Sequence, residues 1–113
     1  MTGYELPKKV FIHLDEIRGH IAEDNPNAAD RVITEIFDGI RALAASPPQG
    51  HRRPNITSRP LRSKLAREYI IVNAPEKKPL WVVAVFHARR SPRVMAAILR
   101  GREEADGNGL SGD

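Results

Sequence analysis

Apolar residues recur on a helical period in two stretches of the first half of the chain. In each stretch they stand three or four positions apart, which gives a helix one apolar face. The first stretch follows Pro7 and the second follows Pro26. The apolar positions are Val10, Phe11, Leu14, Ile17 and Ile21 in the first, and Ala29, Val32, Ile33, Ile36, Phe37, Ile40 and Leu43 in the second. The pattern therefore predicts two amphipathic helices.

Short polar segments mark the ends of these helices. Asn25 and Pro26 are typical of an N-cap residue and a first helical residue, and Ser46-Pro47-Pro48 is expected to end the second helix. Because so few residues connect the two helices, we expect them to be antiparallel neighbours in an αα-hairpin. Their apolar faces need a covering layer. The residues expected to be mostly buried there are Leu14, Ile17, Ile33, Ile36, Phe37 and Ile40.

Residues 69–72 and 80–86 form the two most hydrophobic runs of the chain. Both are rich in β-branched and aromatic residues, as strands are, and the segment between them contains two prolines. We therefore predict an antiparallel hairpin whose loop is longer than the tightest turns. Both runs are apolar at odd and even positions, so at least one of them should be central in its sheet. Tyr69 and Trp81 are accordingly expected in the core.

Three further segments complete the predicted fold. Residues 2–5 and 61–65 are expected to be strands, and Ser91-Pro92 is typical of the start of a short helix. Residues 101–113 are acidic and rich in glycine, which indicates a disordered tail. We predict a single domain over residues 1–100, of the α+β class. In this fold an N-terminal helical hairpin packs on a small antiparallel sheet, and a short C-terminal helix follows.

Composition narrows the class of protein further. The absence of cysteine excludes disulfides and thiolate metal sites. No run approaches the roughly 18 apolar residues of a membrane-spanning helix, and the first residues lack the apolar core of a signal peptide. We expect a soluble, cytoplasmic protein with no membrane partner. His13 and His20 could share a helical face, but no third ligand is in view, so neither a metal nor a small-molecule cofactor is predicted.

Charge is distributed unevenly along the chain. Residues 1–46 carry 5 Lys/Arg and 8 Asp/Glu, whereas residues 47–102 carry 13 Lys/Arg and 2 Asp/Glu, a balance of +11. In the second segment arginine outnumbers lysine, and arginine suits bidentate contacts with phosphate or carboxylate. We therefore expect a basic face that binds an anionic partner, either nucleic acid or an acidic protein. The alternative is an ordinary solvated surface.

Several landmarks in the sequence together resemble one known superfamily. They are the helix start Asn25-Pro26-x-Ala28-Ala29, the helix exit Leu43-Ala44-x-x-Pro47-x-x-Gly50, the pair Leu61-Arg62, the segment Arg67-x-Tyr69-Ile70-Ile71-Val72, and the segment Val83-Ala84-Val85-Phe86-His87-x-Arg89-Arg90. Over roughly residues 4–100 this order resembles the RelE/ParE superfamily of toxins from type II toxin–antitoxin modules. The landmarks are similar to those of ParE-like members rather than RelE-like ones.

The resemblance implies one of two activities. ParE-like toxins bind DNA gyrase and trap it on cleaved DNA, whereas RelE-like toxins are ribosome-dependent mRNA endonucleases that use a Tyr or His close to the C-terminus. No aromatic or imidazole group follows His87, which favours the ParE-like branch and a protein that is not an enzyme. The implied partners are a cognate antitoxin, which neutralises the toxin with an acidic segment, and DNA gyrase. Ribosome-bound mRNA is the alternative target, and a non-toxic binding module of the same fold is a third hypothesis.

The resemblance and the charge pattern also suggest candidate site residues. The partner-binding candidates are Arg62, Lys64, Arg67, Arg89, Arg90 and Arg93. If the protein is an endoribonuclease, the catalytic candidates are Arg62, Lys64, Arg67 and His87. Such chemistry needs an activator of the ribose 2′-OH, a cation for the transition state and an acid for the leaving oxygen. We otherwise expect a structural or capping role for His87.

Overall fold

A computed structural model describes residues 3–46, 50–54 and 56–100 of the chain. The elements are β1 (Tyr4–Glu5), α1 (Lys8–Ala22), α2 (Pro26–Ala45), β2 (His51–Arg52), β3 (Arg62–Ala66), β4 (Tyr69–Ala74) and β5 (Leu80–His87), followed by α3 over residues 92–100. These helices and the sheet confirm the predicted α+β class. The predicted tail, 101–113, lies outside the described residues, and the single domain over residues 1–100 stays a prediction.

The helical hairpin begins and turns where the sequence indicates. The Oδ1 atom of Asn25 accepts a hydrogen bond from the backbone N–H of Ala28 at 3.1 Å, and Pro26 is the first residue of α2. Pro7 immediately precedes the first residue of α1. Arg18 of α1 donates to Asp30 of α2 at 2.8 Å, so the two helices lie side by side.

The sheet has five strands in the order β1-β5-β4-β3-β2. Strands β2 to β5 pair with antiparallel neighbours, and both β4 and β5 are interior, which confirms that at least one hydrophobic run is central. Strand β1 adds a parallel pair with β5, so the sheet is mixed. The whole helical hairpin and three strands separate β1 from β5, so no tight turn imposes antiparallel pairing on them. Strand β2 lies in a segment where the sequence indicates only turns.

The pairing of β4 with β5 contains an irregularity. Val72 pairs with Ala84 and Asn73 pairs with Val82, which leaves Val83 as an extra residue on β5. Such a bulge reverses the direction in which the following side chains point. Strand β5 therefore places Val82 on the side of the sheet that faces α1 and α2, and Ala84 on the opposite side.

Each side of the sheet supports its own core. The core on the side of α1 and α2 contains Val10, Leu14, Val32, Ile36, Ile40, Leu43, Tyr69, Ile71, Leu80, Val82 and Val85. The core on the side of α3 contains Ile56, Leu61, Ile70, Val72, Ala84, Phe86, Met95 and Leu99. Helix α2 lies close to the sheet at Gly39, where an added Cβ atom would be 3.0 Å from Cδ1 of Ile71.

The predicted core residues divide into three groups. Leu14, Ile36 and Ile40 are buried as predicted. The side chains of Ile17, Ile33 and Phe37 are only partly buried and pack against the first core. The expectation that Trp81 is in the core is wrong, because its residue is 41% exposed. Its neighbours Leu80 and Val82 point toward α1 and α2, so Trp81 points to the other side of the sheet. No described helix is both long and apolar enough to cross a membrane.

Candidate partner-binding site

The candidate residues Arg62 and His87 lie at opposite ends of the sheet, and Lys64 lies midway along β3. At one end Arg62 of β3 is opposite Asn73 of β4, and we call Arg52, Arg62 and Lys64 the basic edge. At the other end Ala66 is opposite Tyr69, which in turn is opposite His87 of β5. Arg62 and Ala66 are four residues apart, which is roughly 13 Å along a strand. The structure therefore does not bring Arg62 and His87 together.

Two arginines of the basic edge lie directly opposite each other. Arg52 of β2 pairs with Arg62 of β3, so both side chains are on the same face of the sheet. The Nη1 atom of Arg62 donates to the carbonyl oxygen of Gly50 at 2.8 Å. Arg52 makes no side-chain hydrogen bond or ion pair with any other described residue. Like charges placed directly opposite each other destabilise a sheet, so this arrangement favours an anionic partner.

The backbone around the basic edge is held by buried polar side chains. The Nε atom of Arg53 donates to Oγ of Ser63 at 2.9 Å, and Nδ2 of Asn73 donates to the carbonyl oxygen of Arg62 at 3.1 Å. Ser63 and Asn73 are both buried. Gly50 allows the close approach of the chain, since a Cβ atom there would be 2.9 Å from Cβ of Arg62. Sequence reasoning missed these supporting residues, because their partners are known only once the strands are paired.

Arg67, unlike Arg52, has an ionic partner among the described residues. It lies in the turn between β3 and β4 with φ of 55°, a left-handed conformation that is uncommon outside glycine. Its guanidinium is hydrogen-bonded and ion-paired with Glu35 of α2. That hydrogen bond lowers the pKa of Glu35 below its ordinary value, and the positive charges of Arg67 and Arg31 act in the same direction. The ion pair connects the turn to α2, so Arg67 is not an uncompensated cation.

The His87 side chain connects the two turns at this end of the sheet. Its Nε2 atom lies 3.0 Å from Oε1 of Glu68, and its Nδ1 atom accepts a hydrogen bond from the backbone N–H of Arg89 at 2.9 Å. A neutral ring with its proton on Nε2 satisfies both contacts. Both ring nitrogens are therefore engaged within the chain. The structural role expected for His87 stays a prediction.

Tyr69 packs against the His87 ring and shares its surroundings. The two rings meet edge to face with centroids 5.1 Å apart, an arrangement that aromatic rings favour. Burial raises the pKa of the Tyr69 hydroxyl, and the negative charge of Glu68 acts in the same direction. Tyr69 is buried, as the sequence predicts.

A cleft of about 760 Å³ opens beside Tyr69 and His87. Helix α1 forms one wall, the ends of β4 and β5 form the floor, and the turn after β5 forms the other wall. The lining residues are His13, Glu16, Ile17, His20, Tyr69, Val85, Phe86, His87, Arg89, Arg90 and Ile98. A second cleft, of about 350 Å³, lies on the other side of His20, Tyr69 and His87. We call the larger one the α1 cleft.

Histidines cluster around these clefts without forming a metal site. The seven-residue spacing of His13 and His20 is the sequence signal that places them on one face of α1, and both line the α1 cleft. Among the described residues no group of three or more His, Cys, Asp and Glu side chains could hold a metal ion.

The arginines after β5 remain exposed. Arg89 and Arg90 line the α1 cleft, and Arg93 is exposed in the first turn of α3. None of the three makes a side-chain hydrogen bond or ion pair with another described residue. Ser91 caps α3 by accepting from the N–H of Val94 at 3.2 Å. Cations next to a helix N-terminus are not favoured by its dipole, so these side chains also favour an external anion.

Comparisons with known proteins identify the family of this chain. The chain matches the family described as ParE toxin of type II toxin-antitoxin system, parDE, over residues 4–92. It is 34% identical over 89 residues to the protein named "Putative toxin Y4kP" of Sinorhizobium fredii (strain NBRC 101917 / NGR234), covering 73% of this chain and 84% of that relative. The chain therefore belongs to the ParE toxin family of type II toxin–antitoxin systems. This membership confirms the resemblance and implies an antitoxin as a partner.

Proposed function

We propose that this protein is a toxin that inhibits DNA gyrase in the cytoplasm by binding to it, and that a cognate antitoxin neutralises it. Membership of the ParE toxin family supports the toxin class. We infer that the basic edge is the surface that binds the target, because Arg52 and Arg62 lie directly opposite each other there. Lys64, two residues further along β3 and on the same face, extends this positive surface. Such a surface suits an acidic patch of gyrase or the phosphates of its DNA.

Binding is better supported than RNA cleavage by the positions of the candidate residues. Of the four nuclease candidates, Arg62 lies at one end of the sheet, Lys64 lies midway along β3, and Arg67 and His87 lie at the other end. Arg67 is paired with Glu35, and both ring nitrogens of His87 are engaged. An acid/base mechanism needs its groups within hydrogen-bonding reach of one substrate. A binding mechanism has no such requirement, because its contacts can be distributed over a surface.

The test is a gyrase supercoiling assay with the purified full chain. We expect the wild type to inhibit supercoiling. The double variant Arg52→Ala/Lys64→Ala should weaken inhibition by roughly tenfold, because each exposed charge contributes modestly and the loss should grow as salt is lowered. The control is Lys8→Ala/Lys9→Ala, which removes the same charge at the start of α1 from exposed positions. Equal losses in both double variants, or no inhibition by the wild type, would contradict the proposal.

A growth assay identifies the target if gyrase is not inhibited. Expression of the wild type without antitoxin should arrest growth. Growth arrest together with ribosome-dependent mRNA cleavage and normal supercoiling would assign the protein to the nuclease class. An absence of growth arrest would assign it to the non-toxic binding modules.

A further inference from the structure

The basic edge lies in a part of the chain that contains no carboxylate. Residues 50–66, which include β2, β3 and the segment between them, carry five Lys/Arg and no Asp/Glu. Strand β4, the other neighbour of β3, has no acidic residue, and Arg41 is the one charged residue of α2 from Gly39 to Ala45. Positive charge therefore accumulates here without an acidic residue such as Glu35, which accompanies Arg67 at the other end of the sheet.

The cations of the basic edge are close enough together to contact several phosphates at once. Arg52 and Arg62 lie on neighbouring strands, with Cα atoms roughly 5 Å apart, and Lys64 follows about 7 Å further along β3. Duplex DNA carries one negative charge for about every 1.7 Å of its axis. The Arg62 guanidinium is held in place by its bond to the carbonyl oxygen of Gly50, which uses one of its N–H donors and leaves the others outside that bond.

The basic edge lacks the apolar centre on which contacts between proteins depend. Arg62 and Lys64 share a face of β3 with Ala66, which packs against the core on the side of α1 and α2. The described large hydrophobic residues that are exposed lie elsewhere: Leu65 and Trp81 on the opposite face of the sheet, Phe11 and Ile12 on α1, and Val94 on α3. Helix α1 contacts β5, whereas α2 contacts β3. A polar, positively charged surface of this kind is more typical of protein–DNA than of protein–protein interfaces.

We propose that the basic edge binds the phosphate backbone of duplex DNA directly and without reading its sequence. Arg52, Arg62 and Lys64 each contact a phosphate. Proteins that bind single strands stack the bases on aromatic side chains, and among the described residues no exposed aromatic side chain lies on this face. The inference deepens the proposed function, on which the choice of DNA over duplex RNA rests, because the proposed target acts on duplex DNA.

The experiment uses the full chain and a fluorescein-labelled DNA duplex of about 20 base pairs, without gyrase, at roughly 50 to 200 mM salt. Fluorescence anisotropy measures the association constant. Its logarithm should fall linearly with the logarithm of the salt concentration, with a slope of about −0.9 for each phosphate contact and so about −2.7 for three contacts. No binding at the lowest salt concentration, or binding that does not depend on salt, would overturn the proposal.

Variants test whether the basic edge is responsible for this slope. Arg52→Ala/Lys64→Ala removes two phosphate contacts, so the slope should become shallower by about 1.8 and binding at low salt should weaken by about tenfold or more. Lys8→Ala/Lys9→Ala removes the same charge from exposed positions on α1 and should change the slope by less than about 0.5. Equal changes in the two double variants would overturn the proposal.

A single substitution keeps the test independent of any effect on folding. Arg52 is exposed, and Arg52→Ala alone should make the slope shallower by about 0.9. Thermal melts check that all three variants are folded. A folded Arg52→Ala whose slope equals that of the wild type would contradict the assignment of a phosphate contact to this side chain.

Other ligands distinguish the alternatives. A second DNA duplex of unrelated sequence should bind within about twofold of the first, because phosphate contacts carry no sequence information. Duplex RNA and single-stranded DNA of the same length should bind no more tightly than duplex DNA. Tighter binding of either, or a preference of about tenfold for one DNA sequence, would overturn the proposal. A glutamate-rich peptide that displaces the duplex at an equal concentration of negative charge would assign the edge to an acidic protein instead.

Two occupants from the protein itself would also show in these measurements. A Glu103→Gln/Glu104→Gln variant that binds the duplex about tenfold more tightly would assign the edge to the chain's own acidic residues 101–113. Self-association that Arg52→Ala/Lys64→Ala abolishes would assign it to a second copy. Either result overturns the proposal. Inhibition of supercoiling without binding of free DNA would contradict this inference alone, whereas DNA binding without inhibition would contradict the proposed function alone.

Discussion

At one end of the sheet Arg52 and Arg62 lie opposite each other on β2 and β3, whereas at the other end Arg67 is paired with Glu35. Both arrangements are on the same small sheet and draw on the same arginine-rich half of the sequence. The difference between them is the presence of a compensating carboxylate. Where the side chain holds two elements together, an acidic residue accompanies it. The Arg52 side chain of the basic edge has no such partner among the described residues, and the charge count alone does not distinguish the two cases.

The largest expected effect on stability comes from truncating a core residue of α2, because this core supports both ends of the sheet. Ile36 of α2 is fully buried, so Ile36→Ala should lower the free energy of unfolding by about 2–5 kcal/mol. Phe37→Ala is the matched control, since Phe37 is only partly buried and should cost less. Urea denaturation of both variants measures the difference. If Phe37→Ala proved the more damaging of the two, the packing of α2 on the sheet would be misassigned.

A second change affects only the basic edge. Gly50→Ala places a Cβ atom 2.9 Å from Cβ of Arg62 and 3.1 Å from the carbonyl oxygen of Ser63, so the backbone of β2 must move. Such overpacking should cost about 1–3 kcal/mol.

Gly19→Ala is its control and should have the opposite sign. Nothing lies within 4 Å of a Cβ atom at Gly19, which is in α1. Alanine there should stabilise the protein by about 0.5–1 kcal/mol through its higher helix propensity. Thermal melts measure both variants. The prediction is contradicted if the melting temperatures of Gly50→Ala and Gly19→Ala shift in the same direction from that of the wild type.

The third prediction concerns the end of the sheet with His87. If this residue connects turns, His87→Ala should retain growth inhibition within about tenfold, because no chemical step depends on it. An essential acid/base group would instead cost about 10²–10⁴ in rate. The measurement is growth after induction without antitoxin, with a thermal melt to confirm folding. A folded His87→Ala that is inert, and that has also lost ribosome-associated mRNA cleavage, would establish the nuclease instead.

The smallest expected effect is the pH dependence of the stability that the Arg67–Glu35 ion pair contributes. The pKa of Glu35 is lowered in the folded protein by the hydrogen bond from Arg67. The pair therefore contributes its full stability above the ordinary pKa of glutamate, about 4.3. That contribution disappears as the pH falls through the lowered folded-state value. Glu35→Gln should thus be less stable than the wild type near neutral pH and equally stable in acid.

This pair is exposed, so the stability difference should be small and should decrease with salt. Urea denaturation at several pH values measures it. Arg67→Ala is the matched control, and combining it with Glu35→Gln should add little to either change alone. A difference that persists unchanged into acid would show that the pair does not act through charge.

The sequence predicts the fold well where the signal is local. The helical stripes and the Asn25–Pro26 cap depend on neighbouring residues, and both hydrophobic runs form interior strands. Strand β2 was missed because its two residues, His51 and Arg52, have no apolar pattern, and they pair only because β3 lies beside them. The exposure of Trp81 depends on which elements cover each face of the sheet at that position, which no local pattern specifies.

For the candidate site, the sequence predicts which types of residue are present but not how they are arranged in space. The excess of arginine in residues 47–102 indicates a basic face, and the structure places exposed cations there. The pairing of Arg67 with Glu35 depends on a left-handed turn and on contact between residues far apart in sequence. The α1 cleft needs three elements in position, so its lining could not be assembled from spacing alone.

The parallel pairing of β1 with β5 has a consequence for how the chain is made. Tyr4 pairs with Leu80 and Glu5 with Trp81, so the first of the described strands pairs with the last. Contacts between distant residues form slowly, because a long loop must close first. We expect the helical hairpin to emerge from the ribosome well before the strands that cover its apolar face. The nascent toxin would thus expose that face to chaperones until β3, β4 and β5 have left the ribosome and paired.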